Sequence, residues 1–152
     1  MKNQNEFHRS FRQLHVRFSK FYVRILTQAD LTLPQYVLLN QLSGSLAMPM
    51  TDVSERLFIS KPAVTYLVDR LEKRKFLKRM PHPKDRRVSL IEIQPKGERI
   101  IQKIQSQVFR YILEVLEKFN PSERKTILKF QTLMGQSIEK LLTGPVRRKE
   151  RG

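Results

Sequence analysis

Ile59-Ser60-Lys61-Pro62-Ala63-Val64-Thr65-Tyr66-Leu67-Val68-Asp69-Arg70-Leu71-Glu72-Lys73 is the stretch that decides the fold. Val64, Leu67, Val68 and Leu71 recur at i, i+3, i+4 and i+7, which is one apolar stripe along a helix. Ser60 is a favourable N-cap, and proline is tolerated in a first helical turn. The opposite face carries Lys61, Thr65, Tyr66, Asp69, Arg70 and Lys73. A shorter helix is predicted before it, from Thr51 to Leu57, with Phe58-Ile59-Ser60 as a tight turn between the two. Two short helices joined this way make a helix-turn-helix, whose second helix fits a major groove.

The residues that follow extend the pattern. Leu77-Lys78-Arg79-Met80 and Val88-Ser89-Leu90-Ile91-Glu92-Ile93 read as two strands, and Pro81-His82-Pro83-Lys84-Asp85-Arg86-Arg87 lies between them as a basic hairpin tip. A helix-turn-helix followed by a hairpin is a winged helix. With Asp85-Arg86-Arg87 at the tip and Ile93-Gln94-Pro95-Lys96-Gly97 behind it, the stretch from Leu31 to Gly97 resembles the MarR family of bacterial transcription regulators. Lys75 stands where that family usually has glycine, and Pro95 where it usually has threonine. The expected fold class is mainly α with a small two-stranded wing (α+β): a winged helix-turn-helix flanked by long dimerisation helices.

Composition points the same way. The 152 residues suit one domain, and the formal net charge is +16. The charge is concentrated: residues 61–99 hold 12 Lys and Arg against 5 Asp and Glu, or +7 in 39 residues, whereas residues 1–60 hold 7 against 4. Such a density favours a polyanionic partner. The chain has no cysteine, which removes disulfides, thiolate metal sites and cysteine redox sensing together. No apolar run is long enough to span a membrane, and the polar start lacks a signal core, so a cytoplasmic location is expected. No nucleophile elbow or phosphate-binding glycine loop occurs, and five glycines leave little for a cofactor loop. Neither an enzyme nor a cofactor is expected.

Long helices are predicted on both sides of residues 31–97. Over residues 1–28, Phe7, Phe11, Leu14, Phe18, Phe21 and Ile25 alternate at spacings of four and three, an a/d seam. Thr32, with Pro34 behind it, is placed to cap an apolar helix holding Tyr36, Val37, Leu39, Leu42 and Leu46 and ending near Ser43-Gly44. Pro49 separates that helix from the helix-turn-helix. Over residues 98–142 two more apolar helices are separated by Asn120-Pro121-Ser122-Glu123, a stop and restart with Asn120 as N-cap and Glu123 at N3. Residues 143–152, with Arg147, Arg148, Lys149 and Arg151, are expected to form a flexible basic tail. The periodicity leaves surplus apolar helix surface; the resemblance implies that it is buried in a homodimer on a pseudo-palindromic operator of double-stranded DNA.

Recognition of DNA divides into base readout, groove insertion and phosphate contact. Lys61 and Arg70 suit guanine edges, and Ala63 or the Thr65 methyl suits a thymine methyl. Tyr66 stacks, donates to phosphate or packs sideways. Asp69 pairs with Arg70 or Lys73. The resemblance implies that Arg87, and with it Arg86, enters the minor groove, where arginine reads width and potential. Asp85 orders the wing rather than touching DNA. Lys73, Lys78, Arg79 and Lys84 suit phosphate, as do backbone N–H groups near Thr51 and Ser60. The resemblance further implies a pocket for a small aromatic or lipophilic anionic effector that releases a repressor, with Arg12, His15, Tyr22 and Arg24 as candidates. Two alternatives stay open: an architectural DNA-binding protein without effector, and a metal-responsive regulator using His8 and His15. The latter pair lacks the third protein ligand zinc normally takes, and no metal is expected.

Overall fold

The computed structural model describes residues 2–85 and 87–143. Arg86 and the tail from residue 144 onward, both singled out above, lie outside the described residues. The elements run α1 (Lys2–Gln28), α2 (Leu33–Leu42), β1 (Met48–Pro49), α3 (Met50–Leu57), α4 (Lys61–Lys73), β2 (Leu77–Pro81), β3 (Ser89–Ile93), α5 (Pro95–Leu116) and α6 (Pro121–Thr143). They fall into two compact units, Met1–Val108 and Phe109–Gly152.

In the first unit the apolar stripe of α4 is the centre of the core. Val64, Val68 and Leu71 are fully buried, and Leu67 nearly so. They pack with Leu38, Leu39 and Leu42 of α2, Val53 of α3, Leu77 and Ile91 of the sheet, and Ile101 and Ile104 of α5. The last two turns of α1 join this core through Ile25 and Leu26, whereas Phe7, Phe11, Leu14 and Phe18 of the predicted seam are exposed.

Three details differ from expectation. The sheet has three strands, not two, in the antiparallel order β1-β3-β2. Met48 and Pro49 pair with Ile91 and Leu90, so the segment read as a mere break is an edge strand, where proline is tolerated. Leu46 is not on α2. That helix ends as expected near Ser43-Gly44: the Ser43 N–H donates to the Leu39 carbonyl, and Gly44 then turns the chain at φ +68°, which leaves Leu46 beyond the helix. Leu46 is consequently 92% exposed, and Leu38 takes the core position. Thr32 does cap α2, its N–H donating to Gln35 Oε1 at 3.0 Å.

The two departures from the family pattern have local solutions. Lys75 is left-handed, at φ +60°, which explains why glycine suits that position. Pro95 opens α5, where a missing N–H removes no helical bond. Gly97 then lies against the Phe76 backbone: a Cβ built on it would sit 2.1 Å from the Phe76 carbonyl oxygen, so no side chain fits. The Gln94 N–H donates to that same carbonyl at 2.8 Å. Arg74 and Lys96 lie over the ring of Phe76, 4.5 and 5.0 Å from its centroid. The root of the wing is thereby fixed to α4 and α5.

The second unit holds the end of α5 and all of α6. Asn120 caps α6 as predicted: its Oδ1 accepts from the N–H groups of Ser122 and Glu123, and its own N–H donates to Glu123 Oε2 at 2.8 Å. Arg124 then reaches back and donates to the carbonyls of Leu116, Glu117 and Phe119, satisfying the last turn of α5. No residue of α6 is buried within the chain, although Leu128, Leu133, Ile138, Leu141 and Leu142 are large and apolar.

Candidate nucleic-acid interface

The turn between α3 and α4 is closed by its own backbone. Phe58 is left-handed at φ +53°, and its N–H turns back to the Glu55 carbonyl. The Ile59 N–H donates to the Ser54 carbonyl at 3.2 Å, and Ser54 Oγ donates to the Ile59 carbonyl at 2.8 Å. Ser60 Oγ accepts from the Ala63 N–H at 3.4 Å, so its side chain serves the helix start.

With the stripe buried, α4 turns Lys61, Thr65, Tyr66, Arg70 and Lys73 outward, all exposed, with Ala63 at the margin. Thr65 Oγ1 donates to the Lys61 carbonyl, which leaves its lone pairs and methyl for outside contacts. The Arg70 guanidinium lies over the Tyr66 ring at 5.0 Å, a cation–π contact that restrains both side chains. Of the three roles open to Tyr66, sideways packing on its own helix is the one seen without DNA.

Asp69 is a correction. It pairs neither with Arg70 nor with Lys73 but with Arg79, across on β2. Arg79 also bonds Glu72, and its backbone N–H donates to Glu72 Oε1 at 2.8 Å. Burial acts to lower the Arg79 pKa, but the two carboxylates outweigh it and hold the guanidinium above its usual value. Arg79 was expected at phosphate; with its donors engaged by two carboxylates it is not placed for that. Lys78 likewise pairs with Glu92 at 2.7 Å.

The wing tip is built around two residues. The Asp85 carboxylate accepts from the Arg87 N–H at 3.0 Å and from Arg87 Nε at 3.3 Å, and its carbonyl accepts from the Val88 N–H. Asp85 therefore orders the tip, as expected. His82 does so too, and sequence reasoning passed over it. Its Nδ1 accepts from the N–H groups of Lys84 and Asp85, each at 3.2 Å, while its own N–H donates to the Val88 carbonyl. The signal was local: an acceptor side chain between two prolines, two and three residues before the N–H groups it serves. Lys84 is exposed, and the Arg87 side chain is 92% exposed despite its bond to Asp85.

The effector candidates are not gathered in the same way. Arg12, His15 and Arg24 are exposed along α1, and among the described residues no hydrogen bond or ion pair joins their side chains. Tyr22 is half-buried, its ring 5.1 Å from Phe18 and 6.0 Å from Tyr36. Burial pushes the Tyr36 phenol up to about 12, and Tyr22 adds to the shift. Among the described residues no three His, Cys, Asp or Glu side chains cluster as metal ligands would, and His8 and His15 are both exposed.

A family model described as the MarR family matches residues 31–89. The HTH-type transcriptional regulator YsmB of Bacillus subtilis is 33% identical over 111 residues, covering 70% of this chain and 76% of the relative. The structure of a MarR family protein from Bacillus stearothermophilus aligns with a TM-score of 0.79 at 26% identity, over 91% of this chain and 97% of that one. Streptococcus pneumoniae FabT, solved in complex with DNA, shares the fold with a TM-score of 0.75 at 18% identity, over 89% and 99% of the two chains.

Proposed function

Because the chain belongs to the MarR family of winged-helix transcription regulators, we propose that it binds a pseudo-palindromic operator as a homodimer and represses transcription until a small molecule releases it. It is a DNA-binding regulator, not an enzyme. One observation carries the finer reading: the outward face of α4 and the tip of the wing present Lys61, Arg70, Lys73, Lys84 and Arg87 exposed, each on backbone held by its own hydrogen bonds. Lys61, Ala63, Thr65, Tyr66 and Arg70 read base edges. Ser60 offers backbone N–H groups at the helix start. Arg87, with Arg86 beside it in sequence, enters the minor groove, and Lys73 and Lys84 contact phosphate.

Two copies follow from apolar surface. The exposed apolar residues of α1 and those of α6 are more than a lone chain leaves in water, and a second copy covers them. FabT, of the same fold, was solved with DNA, which supports a DNA partner here. The effector is a small aromatic or lipophilic anion, for which the aromatic cluster of Phe18, Tyr22 and Tyr36 is the best-formed surface. No helix among the described residues is long and apolar enough to cross a membrane, which accords with work in the cytoplasm. Selection of bound fragments from random DNA at physiological salt tests the reading. A regulator returns one short palindrome. Recovery of every sequence alike identifies an architectural protein instead.

A further inference from the structure

Arg79 is a basic residue beside α4 whose guanidinium is engaged by two carboxylates. Its guanidinium bonds Asp69 and Glu72, both on α4, and its backbone N–H bonds Glu72 as well. Asp69 lies on the outward side of α4, between Thr65 and Tyr66 in one turn and Lys73 in the next. A carboxylate there repels the backbone of any duplex the helix enters. Its side chain is 49% exposed, so water alone does not hide it. A partly exposed ion pair adds little to folding. What such a pair does supply is a fixed geometry between two elements.

That geometry is specific. Only Arg74-Lys75-Phe76 connects α4 to β2, and the three-residue link is already held by the Phe76 carbonyl. Arg79 is the third residue beyond it, on the strand that leads to the tip bearing Arg87. The planar fork of arginine meets two carboxylates at once, which lysine's single ammonium does not reproduce. We infer that Arg79 is a positioning residue for DNA recognition: by clamping Asp69 and Glu72 it holds the wing at one offset from the recognition helix, so that α4 and Arg87 meet the operator in register. This rests on the DNA-binding reading of the same face.

The test uses the full-length protein, the operator recovered by fragment selection, and a random-sequence duplex of equal length, each titrated over a range of salt. Asp69→Asn removes a negative charge from the DNA-facing helix, so simple electrostatics expects tighter binding to both duplexes. The clamp expects the ratio of operator to random affinity to fall, by about tenfold, the scale of one good base contact. Arg79→Gln should lower the same ratio while leaving the salt slope as in the parent, because Arg79 touches no phosphate. Arg79→Lys should restore little of the preference. Circular dichroism establishes that each variant is folded; Asp69→Asn carries the test if Arg79→Gln is not. An unchanged ratio in folded Asp69→Asn overturns the clamp, as does a slope in Arg79→Gln shallower by about 1 per protomer, the mark of a lost phosphate contact. A parent protein with no operator preference overturns the regulator reading itself, and the clamp with it.

Discussion

At the scale of single residues, backbone conformation and hydrogen bonds assign roles that composition leaves open. Lys75 sits at φ +60°, a conformation that costs a side-chain-bearing residue about 1 kcal/mol or more. Lys75→Gly should therefore raise stability by about 1 kcal/mol, visible as a higher midpoint in urea with an unchanged slope. Arg87→Ala should weaken operator binding by about 1–3 kcal/mol, most of all on sites with narrow A·T-rich grooves. A fluorescence titration in which folded Arg87→Ala bound as well as the parent would reduce the tip to a stable turn. Lys84→Ala should instead weaken binding to all sequences alike. The role of Asp85 was legible because an acid two residues before an arginine has few other partners in a tight turn. Arg79 was not legible. Its carboxylates lie seven and ten residues earlier on another element, and nothing in the sequence alone says which face of β2 meets α4.

At the scale of elements, the clarity of each reading followed the length of its pattern. The stripe of α4 repeats over two turns, and all four of its members are buried. The stop at Asn120 carries a complete set of capping residues, and Asn120 and Glu123 each accept from the other's backbone N–H. β1 escaped notice because two residues show no period, and the partner that makes them a strand lies about forty residues on. The α5–α6 corner offers its own check. Asn120→Ala removes the acceptor for two N–H groups and should cost about 1 kcal/mol in a thermal or denaturant melt. Because no α6 residue is buried within the chain, the loss should grow on dilution if a second copy holds that helix. A loss independent of protein concentration would mean that α6 is stable alone.

For the whole molecule, the surplus apolar surface and the +16 charge make separate demands. Light scattering at low micromolar concentration should give twice the chain mass; a monomer mass would count against the homodimer. If a dimer makes about 10 phosphate contacts, log K against log salt should fall with a slope near −9. A slope shallower than about −3 would place the basic density somewhere other than the DNA footprint. The sheet order β1-β3-β2 has a consequence for solubility. Both outer strands present an open edge, the kind of surface that recruits strands from neighbouring molecules into aggregates. One of these edges is only two residues long, and each strand ends in proline, at Pro49 and Pro81. The outer edge of β2 also carries Lys78 and Arg79, whose N–H is already taken by Glu72. The sheet therefore stops growing at three strands, and a protein that must stay dispersed between encounters with DNA is protected against stacking through its own wings.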